Sequence, residues 1–269
     1  MSHPSASLSR QWPLPAEDDW STPFAEVLLT QLDLRPGLTI LDIACGHGIP
    51  AFYLAEQVGP TGSVLGIDAS RGQVANARTL QRGELPWLRF DCCDMRALPA
   101  SVPTFQRITG NLSVMFLRPH RFEAMRGLIE HLAPGGQVVL TFPSLGTFDS
   151  IWQRIDQEMS RHGLTIERAR LAAHVAERPS AAEARGWLER LNMERIDVIE
   201  RPLEVASGSG QRFLQHPLLR GGFLDDAFEC FDDARLADEV MTRVSLDLDH
   251  MRPLLAQRCA ISGWKRAQA

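Results

Sequence analysis

Residues 41–48 of the chain are Leu-Asp-Ile-Ala-Cys-Gly-His-Gly, an apolar run that ends in small residues and two glycines. A short apolar run predicts a buried β-strand, and the glycines predict a tight turn into the next helix. Gly46, Gly48 and Ala51 match the pattern G-x-G-x-x-A, which is typical of strand–turn–helix units that bind a dinucleotide. The stretch therefore predicts an α/β fold with a ligand site after the first strand.

The segments around this turn alternate between strand patterns and helix patterns. The predicted strands cover 38–44, 63–67, 88–92, 105–112 and 138–142, and the predicted helices cover 22–34, 49–58, 73–80 and 122–132. Alternation at this spacing predicts a Rossmann-like, doubly wound α/β fold with a mostly parallel sheet and helices on both faces. Ligands of such sheets bind beyond the carboxyl ends of the strands, at the point where the strand order reverses.

The pattern changes after Phe142. Helical periodicity predicts helices at 148–159, 181–191, 213–219 and 236–244, and the last strands are predicted at 195–199 and 254–263. With these two strands the sheet is seven-stranded. We expect residues 21–269 to form a single domain, with a ligand-binding core at about 24–143 and helical cap insertions at about 145–192 and 206–248.

Composition narrows the classes of protein. The chain has 269 residues, of which 44% are hydrophobic and 23% charged, a balance typical of folded globular proteins. No run approaches eighteen apolar residues, which argues against a membrane span. The net charge of −5 argues against non-specific binding to nucleic acid. The one lysine is Lys265, so the Gly-Lys-Ser/Thr loop of phosphate-binding hydrolases does not occur.

The ends and the cysteines of the chain give two further expectations. Residues 1–20 are rich in Ser and Pro and lack periodicity, so we expect a flexible arm there. No secretory signal is visible in them, and the five cysteines form no CxxC pair. An odd number of cysteines without a signal predicts reduced thiols and a cytoplasmic location.

Three acidic residues belong to three successive predicted strands. Asp42 lies four residues before Gly46, Asp68 ends the second strand, and Asp94 follows the third. A carboxylate at Asp42 would repel the pyrophosphate of a dinucleotide by several kcal/mol at about 4 Å. It would instead attract the amino group and the sulfonium of S-adenosylmethionine. Asp42 therefore favours this methyl donor over NAD.

The other two carboxylates suit the remainder of such a donor. Asp68 lies 20 residues after Gly48, a spacing at which an acidic residue accepts hydrogen bonds from a ribose diol. Asp68 would alternatively cap the helix that follows Ser70. Asp94 would accept from an adenine amino group while Met95 packs on the ring, although an ordinary loop position also explains it.

Four motifs, in order, resemble those of class I S-adenosylmethionine-dependent methyltransferases. They are the stretch 41–48, Gly-Ile-Asp at 66–68, Asp-Met at 94–95 ahead of Leu-Pro at 98–99, and Leu-Ala-Pro-Gly-Gly at 132–136. The resemblance covers about residues 24–143 and implies a methyltransferase that uses S-adenosyl-L-methionine and releases S-adenosyl-L-homocysteine. The chain departs from the family at Ala44, where glycine is frequent, and at Gln106, where aspartate is usual.

The resemblance also implies which residues hold the donor. They are Asp42, Ala44, Cys45, Gly46, His47, Gly48, Asp68, Ala69, Asp94, Met95, Asn111 and Leu112. Asp42 and the turn would hold the methionine end, Asp68 the ribose, and Asp94 with Met95 the adenine. Asn111 and Leu112 would lie beside the sulfonium. No residue is predicted as a catalytic base, and no metal site is predicted.

The implied acceptor is a small molecule, with O-, C- and N-methylation all open. Residues 111–114, 141–148 and 177–179 are similar to methyltransferases of the ubiquinone and biotin-synthesis type. The latter methylate a malonyl carboxylate on a carrier protein, so a carrier protein would be a second partner. No Pro-Pro-aromatic sequence follows Asn111 and no Pro-Cys occurs, which argues against DNA methylation. Trp20 and Phe24 would form an N-terminal lid over the donor.

Two other functions stay open at this point. A donor-binding sensor or scaffold without turnover would keep the same fold and the same motifs. An NAD-dependent oxidoreductase would match the glycine pattern, although Asp42 argues against it.

Overall fold

The structure is a computed structural model that describes residues 20–205, 209–215, 225–251 and 253–267. Its seven strands are β1 Thr39–Ile43, β2 Ser63–Asp68, β3 Leu88–Cys92, β4 Phe105–Gly110, β5 Leu132–Pro143, β6 Glu194–Glu204 and β7 Leu255–Trp264. They form one sheet in the order β3-β2-β1-β4-β5-β7-β6. Strand β7 is antiparallel to β5 and β6, and the other neighbours are parallel. The predicted fold class is therefore confirmed.

The described helices lie on both faces of the sheet and above its carboxyl edge. They are α1 Ser21–Gln31, α2 Ala51–Val58, α3 Arg71–Gln81, α4 Arg121–Glu130, α5 Asp149–Arg161, α6 Thr165–Ala176, α7 Ala181–Arg190, α8 Gly210–Leu214, α9 Asp225–Phe228 and α10 Ala234–Leu248. No helix among the described residues is long and apolar enough to cross a membrane. Of the predicted arm, Trp20 alone is among the described residues. Of the predicted helix 213–219, residues 216–219 lie outside them.

Strand β1 forms the centre of the sheet. Ile40, Leu41 and Ile43 have no exposed surface, which is typical of a parallel strand covered on both faces. Leu41 lies opposite Leu65 of β2 on one side and Ile108 of β4 on the other. The chain leaves β1 towards β2 and later returns to add β4, so the strand order reverses between β1 and β4. A ligand crevice is expected at this position.

The boundary between α4 and β5 differs from its prediction. The helix ends at Glu130, and β5 already begins at Leu132 instead of at 138. The sequence Pro-Gly-Gly at 134–136 looks like a loop, but the backbone of Lys265 pairs with Gly135 and Gly136 and keeps this segment in the sheet. Pairing with a strand 130 residues away cannot be deduced from a local pattern.

Helix α7 lies within the cap insertion predicted for 145–192, but it packs against the sheet. Ala184 and Leu188 are fully buried in the same apolar cluster as Ile108 and Leu140 of the sheet. This helix therefore covers the sheet beside β6 and β7. The division of the chain into a core and cap insertions remains a prediction.

The other helices after β5 form a separate apolar cluster with the amino end of α1. Its buried members include Trp20, Phe24, Phe148, Ile155, Phe213 and Val244. Trp20 stacks on Phe148 with ring centroids 5.5 Å apart, and Phe148 meets Phe213 edge-on at 5.0 Å. The first helix and the cap helices are thus packed as one layer above the carboxyl edge of the sheet.

Candidate functional site

A cleft of about 550 Å³ opens at the carboxyl ends of β1 to β4. Ten of the twelve predicted donor-binding residues line it, namely Ala44, Cys45, Gly46, His47, Asp68, Ala69, Asp94, Met95, Asn111 and Leu112. The two exceptions among the predicted residues are Asp42 and Gly48. The structure thus brings residues from four strand ends together around one space, at the place where the strand order reverses.

The glycine turn shapes one wall of the cleft. Ala44, Gly46 and Gly48 all have positive φ angles, of 49°, 55° and 105°. At Gly48 a Cβ atom would lie 2.5 Å from Cε2 of Phe52, so this position excludes a side chain both by its conformation and by its space. At Ala44 the left-handed conformation costs roughly 1–2 kcal/mol, which explains why glycine is the easier residue there.

Asp68, the last residue of β2, is hydrogen-bonded to the glycine turn. Its Oδ2 accepts a hydrogen bond from the backbone N–H of Gly46 at 2.9 Å, and its Oδ1 accepts from Ser70 N–H at 2.8 Å. The residue that caps α3 is Ser70, whose hydroxyl accepts from Gln73 N–H. A carboxylate has about four lone-pair positions, so Asp68 keeps acceptor capacity for a ligand in the cleft.

Asp42 lies beneath the turn and does not reach the cleft. Its side chain is fully buried, and Oδ1 accepts from the Thr109 hydroxyl at 2.9 Å. Its Oδ2 is also buried and has no hydrogen-bond partner among the described residues. Loss of solvent raises the pKa of Asp42 to about 7, the Thr109 hydrogen bond opposes this, and the charge of Asp68 adds to it. Asp42 is therefore an acid whose protonation state changes near neutral pH.

Asp94 is paired with an arginine that the sequence analysis missed. Its Oδ1 accepts from Nε of Arg96 at 3.0 Å, and its Oδ2 accepts from Nη2 at 2.7 Å. The guanidinium holds the pKa of Asp94 below its usual value. Arg96 also lines the cleft and donates to the carbonyl oxygen of Arg118 at 3.2 Å. The carboxylate of Asp94 is thus ionised and oriented, and Met95 beside it is buried.

The comparisons with known proteins agree with this geometry. The family described as "Methyltransferase domain" matches residues 40–136. The methyltransferase GfsG of Streptomyces halstedii is 31% identical over 201 residues, which are 71% of this chain and 68% of that protein. The chain belongs to the class I S-adenosylmethionine-dependent methyltransferases.

Other relatives of this methyltransferase are similar over shorter stretches. Nocamycin O-methyltransferase of Saccharothrix syringae is 35% identical over 45% of this chain and 43% of its own length. A tRNA (guanine(6)-N2)-methyltransferase of Thermus thermophilus is a further relative, 37% identical over 49% of this chain and 42% of its own length. The chain thus spans less than half of these two proteins.

A solved structure with the same fold contains a donor product. Phosphoethanolamine N-methyltransferase 2 of Haemonchus contortus, in complex with S-adenosylhomocysteine, superposes with a TM-score of 0.55. The match covers 90% of this chain and 52% of that chain at 15% identity, a level at which it supports the fold alone. S-adenosylmethionine is the cofactor of the family to which this methyltransferase belongs.

The methyltransferase also lines its cleft with residues that sequence reasoning did not assign to the donor site. At one end these are Trp20, Ser21, Met115 and Phe116. Phe116 is 44% exposed, which is unusual for a phenylalanine and places an apolar surface at the cleft mouth. Phe24, predicted as a lid with Trp20, is fully buried in the cap cluster and is not part of the lining. Trp20 is expected from the sequence only as part of a lid, and no sequence pattern singles out Ser21, Met115 or Phe116.

Proposed function

We propose that this methyltransferase transfers a methyl group from S-adenosylmethionine to a small apolar acceptor held at the Phe116 end of the cleft. The observation that carries the proposal is one cleft with two chemically different ends. The end formed by β1 to β3 carries Asp68 and Asp94, whereas the end after β4 carries Leu112, Met115 and Phe116. A volume of about 550 Å³ lies within the range usual for small-molecule sites.

The donor fits the polar end by charge and by shape. Asp68 would accept from the ribose hydroxyls with its remaining lone pairs, and Asp94 with Met95 would hold the adenine. The turn from Ala44 to Gly48 would face the methionine end, with Asn111 and Leu112 beside the sulfonium. Asp42, being beneath the turn, would act on the positive charge of the donor through a single layer of backbone.

The chemistry asked of the chain is positioning and exclusion of water. When bound, S-adenosylmethionine supplies a methyl group on a sulfonium, which is a good leaving group. The turn and Asp68 would fix the donor, while Leu112, Met115 and Phe116 would orient the acceptor and keep water from the reacting atoms. The positively charged donor sits best where solvent is excluded and the carboxylates are fixed.

A small-molecule acceptor is supported by the apolar end of the cleft and by the name of the nocamycin relative, which states O-methylation. A nucleic acid or a carrier protein would need a docking surface beside the cleft, and both serve as outcomes of the test. A cytoplasmic location remains part of the proposal, supported by five cysteines that are all free thiols.

Calorimetry with S-adenosylhomocysteine, with NADH in parallel, tests the donor. We expect micromolar binding of the first ligand and none of the second, and at least tenfold weaker binding after Asp68→Ala. Arg89→Ala is the matched control, because this exposed residue on β3 lies outside the described cleft lining. Binding of NADH alone would contradict the proposal.

Turnover is tested with radiolabelled donor and three acceptor pools, namely phenolic and enolic metabolites, carrier proteins and tRNA. Label transferred to the metabolite pool supports the proposal. Label in either of the other two pools contradicts the acceptor class. Donor binding with no transfer to any pool favours the sensor without turnover.

A further inference from the structure

The hydroxyl of Thr141 connects three parts of the cleft wall. Thr141 lies in β5 and is fully buried, and it is not itself part of the lining. Its Oγ1 donates to Oδ1 of Asn111 at 2.8 Å and accepts from the N–H of Leu112 at 2.9 Å. Asn111 in turn donates from Nδ2 to the carbonyl oxygen of Ser21 at 3.0 Å. One hydroxyl thereby links the sheet to the loop after β4 and to the first residue of α1.

This arrangement fixes the orientation of the Asn111 amide. An asparagine amide is nearly symmetric in shape, so its neighbours decide which of its two ends carries the oxygen. A carbonyl oxygen can only accept, so Ser21 requires the amide nitrogen. The single proton of the Thr141 hydroxyl then finds its acceptor in Oδ1 of Asn111. In the reversed orientation two oxygens would face each other at Ser21, and the Thr141 proton would lose its acceptor.

The same hydroxyl supports a strained backbone position. Leu112 has a φ of 53°, a left-handed conformation that is strained for a residue with a side chain. Its N–H is bonded to Thr141 Oγ1, and the next N–H, of Ser113, is bonded to the Thr141 carbonyl oxygen at 3.1 Å. A strained residue persists when its surroundings hold it, and here Thr141 supplies both contacts.

We propose that Thr141 is a positioning residue for donor binding, acting through Asn111 and Leu112. It holds the cleft wall at Ser21 and the loop after β4 in the arrangement that accepts the donor. Because Ser21 and Trp20 open α1, the hydroxyl also couples the donor to the first helix. The inference rests on the proposed donor site.

The test compares three variants by calorimetry with S-adenosylhomocysteine. Thr141→Val removes the hydroxyl at nearly constant shape, and we expect about tenfold weaker binding, which corresponds to the loss of one or two hydrogen bonds. Thr141→Ser keeps the hydroxyl and is expected to bind within twofold of the wild type. Thr147→Val is the matched control: Thr147 is fully buried, donates to Ser144 O at 2.7 Å and accepts from Gln257 N–H at 3.0 Å. It lies outside the described lining, so its loss should lower the thermal midpoint but leave donor affinity unchanged.

A double-mutant cycle tests the route through the amide. With Asn111→Ala as background, Thr141→Val should weaken binding by about threefold instead of tenfold, because residues that act together are not additive and only the contact with Leu112 is then left to lose. Hydrogen exchange gives a second readout: donor product should slow exchange in a peptide spanning 20–31 in the wild type and not in Thr141→Val.

The outcomes separate the two proposals. Wild-type protein that does not bind the donor product contradicts the proposed function. Wild-type protein that binds, together with a folded Thr141→Val variant that binds within twofold, overturns only the role of Thr141. Equal losses in Thr141→Val and Thr147→Val, or additive effects in the cycle, would also overturn it, because they indicate general loosening.

Discussion

At the scale of single residues, Asp42 is an acidic side chain that the fold removes from water. It is fully buried under the glycine turn, with one oxygen bonded to Thr109 and the other without a partner among the described residues. Burial favours the uncharged acid, so the folded protein holds this proton more tightly than the unfolded chain does.

The raised pKa makes stability depend on pH in a defined direction. The pKa of Asp42 is about 7 in the folded state and 3.8 without the fold. Between these values the folded state binds more protons, so this residue's contribution to stability falls as the pH rises from about 4 to 7. Asp42→Asn should remove that slope, which amounts to roughly 1–4 kcal/mol over the interval. Urea unfolding of both proteins at pH 5, 6, 7 and 8 measures it, and parallel curves would contradict the assignment.

The sequence predicted most of the residues that line the cleft, but it did not predict how the charged side chains there pair. Ten of the residues that the family resemblance implies line the cleft. They come together because the carboxyl ends of parallel strands meet at one edge of the sheet. The sequence around Asp42 does not distinguish a carboxylate that faces the cleft from one that lies beneath the turn, as Asp42 does. The ion pair of Asp94 with Arg96 was not predicted either, because charged residues that are close in sequence are usually both exposed to solvent.

At the scale of elements, the sequence predicted the helices and strands whose side chains are buried on one face or on both. Strand β3 lies at 88–92 as predicted, whereas α6 at Thr165–Ala176 was missed. Leu171 is the one residue of α6 with fully buried character, so the helix has no apolar stripe to detect. It packs on α5, with which it shares the ion pair of Arg168 with Asp156.

The ammonium group of Lys265 contacts both the end of α4 and the start of β5. Lys265 Nζ donates to the carbonyl oxygens of Ile129 at 2.8 Å and Leu132 at 2.7 Å, where the helix leaves its last carbonyls unpaired. Lys265→Met should lower the free energy of unfolding by about 1–3 kcal/mol and leave donor affinity unchanged. Chemical denaturation measures the change. Arg266→Met is the control, because its ion pair with Glu194 is exposed and should contribute at most about 0.5 kcal/mol. Equal losses would show that Lys265 has no special role.

At the scale of the whole molecule, the cap and the first helix form one layer through stacked rings. Trp20 lies between the cleft and Phe148, which in turn meets Phe213. Packing in the cap therefore reaches the cleft through Trp20, and also through Leu112 and Met115, which line the cleft and pack against the same cluster. Trp20 lies outside the matched residues 40–136.

Phe148→Ala tests this dependence. Removal of a fully buried phenylalanine should cost about 3–5 kcal/mol of stability and also weaken binding of S-adenosylhomocysteine severalfold, since Trp20 loses its stacking partner. Phe105→Ala is the matched control, a buried phenylalanine at the amino end of β4 that lies outside the described cleft lining and outside the cap cluster. Thermal unfolding and calorimetry of both variants measure the two effects. Unchanged donor affinity in a folded Phe148→Ala variant would separate the cap from the site.

The single lysine has a consequence for behaviour in alkali. Almost all the cations of this chain are guanidinium groups, and the side-chain ion pairs of the described residues, such as Arg96 with Asp94, are made by arginine. A guanidinium keeps its proton at pH values where an ammonium group has lost it. Above pH 10, where lysine-rich proteins shed positive charge and become strongly anionic, this chain would keep nearly its full complement of cations and its ionic contacts with them.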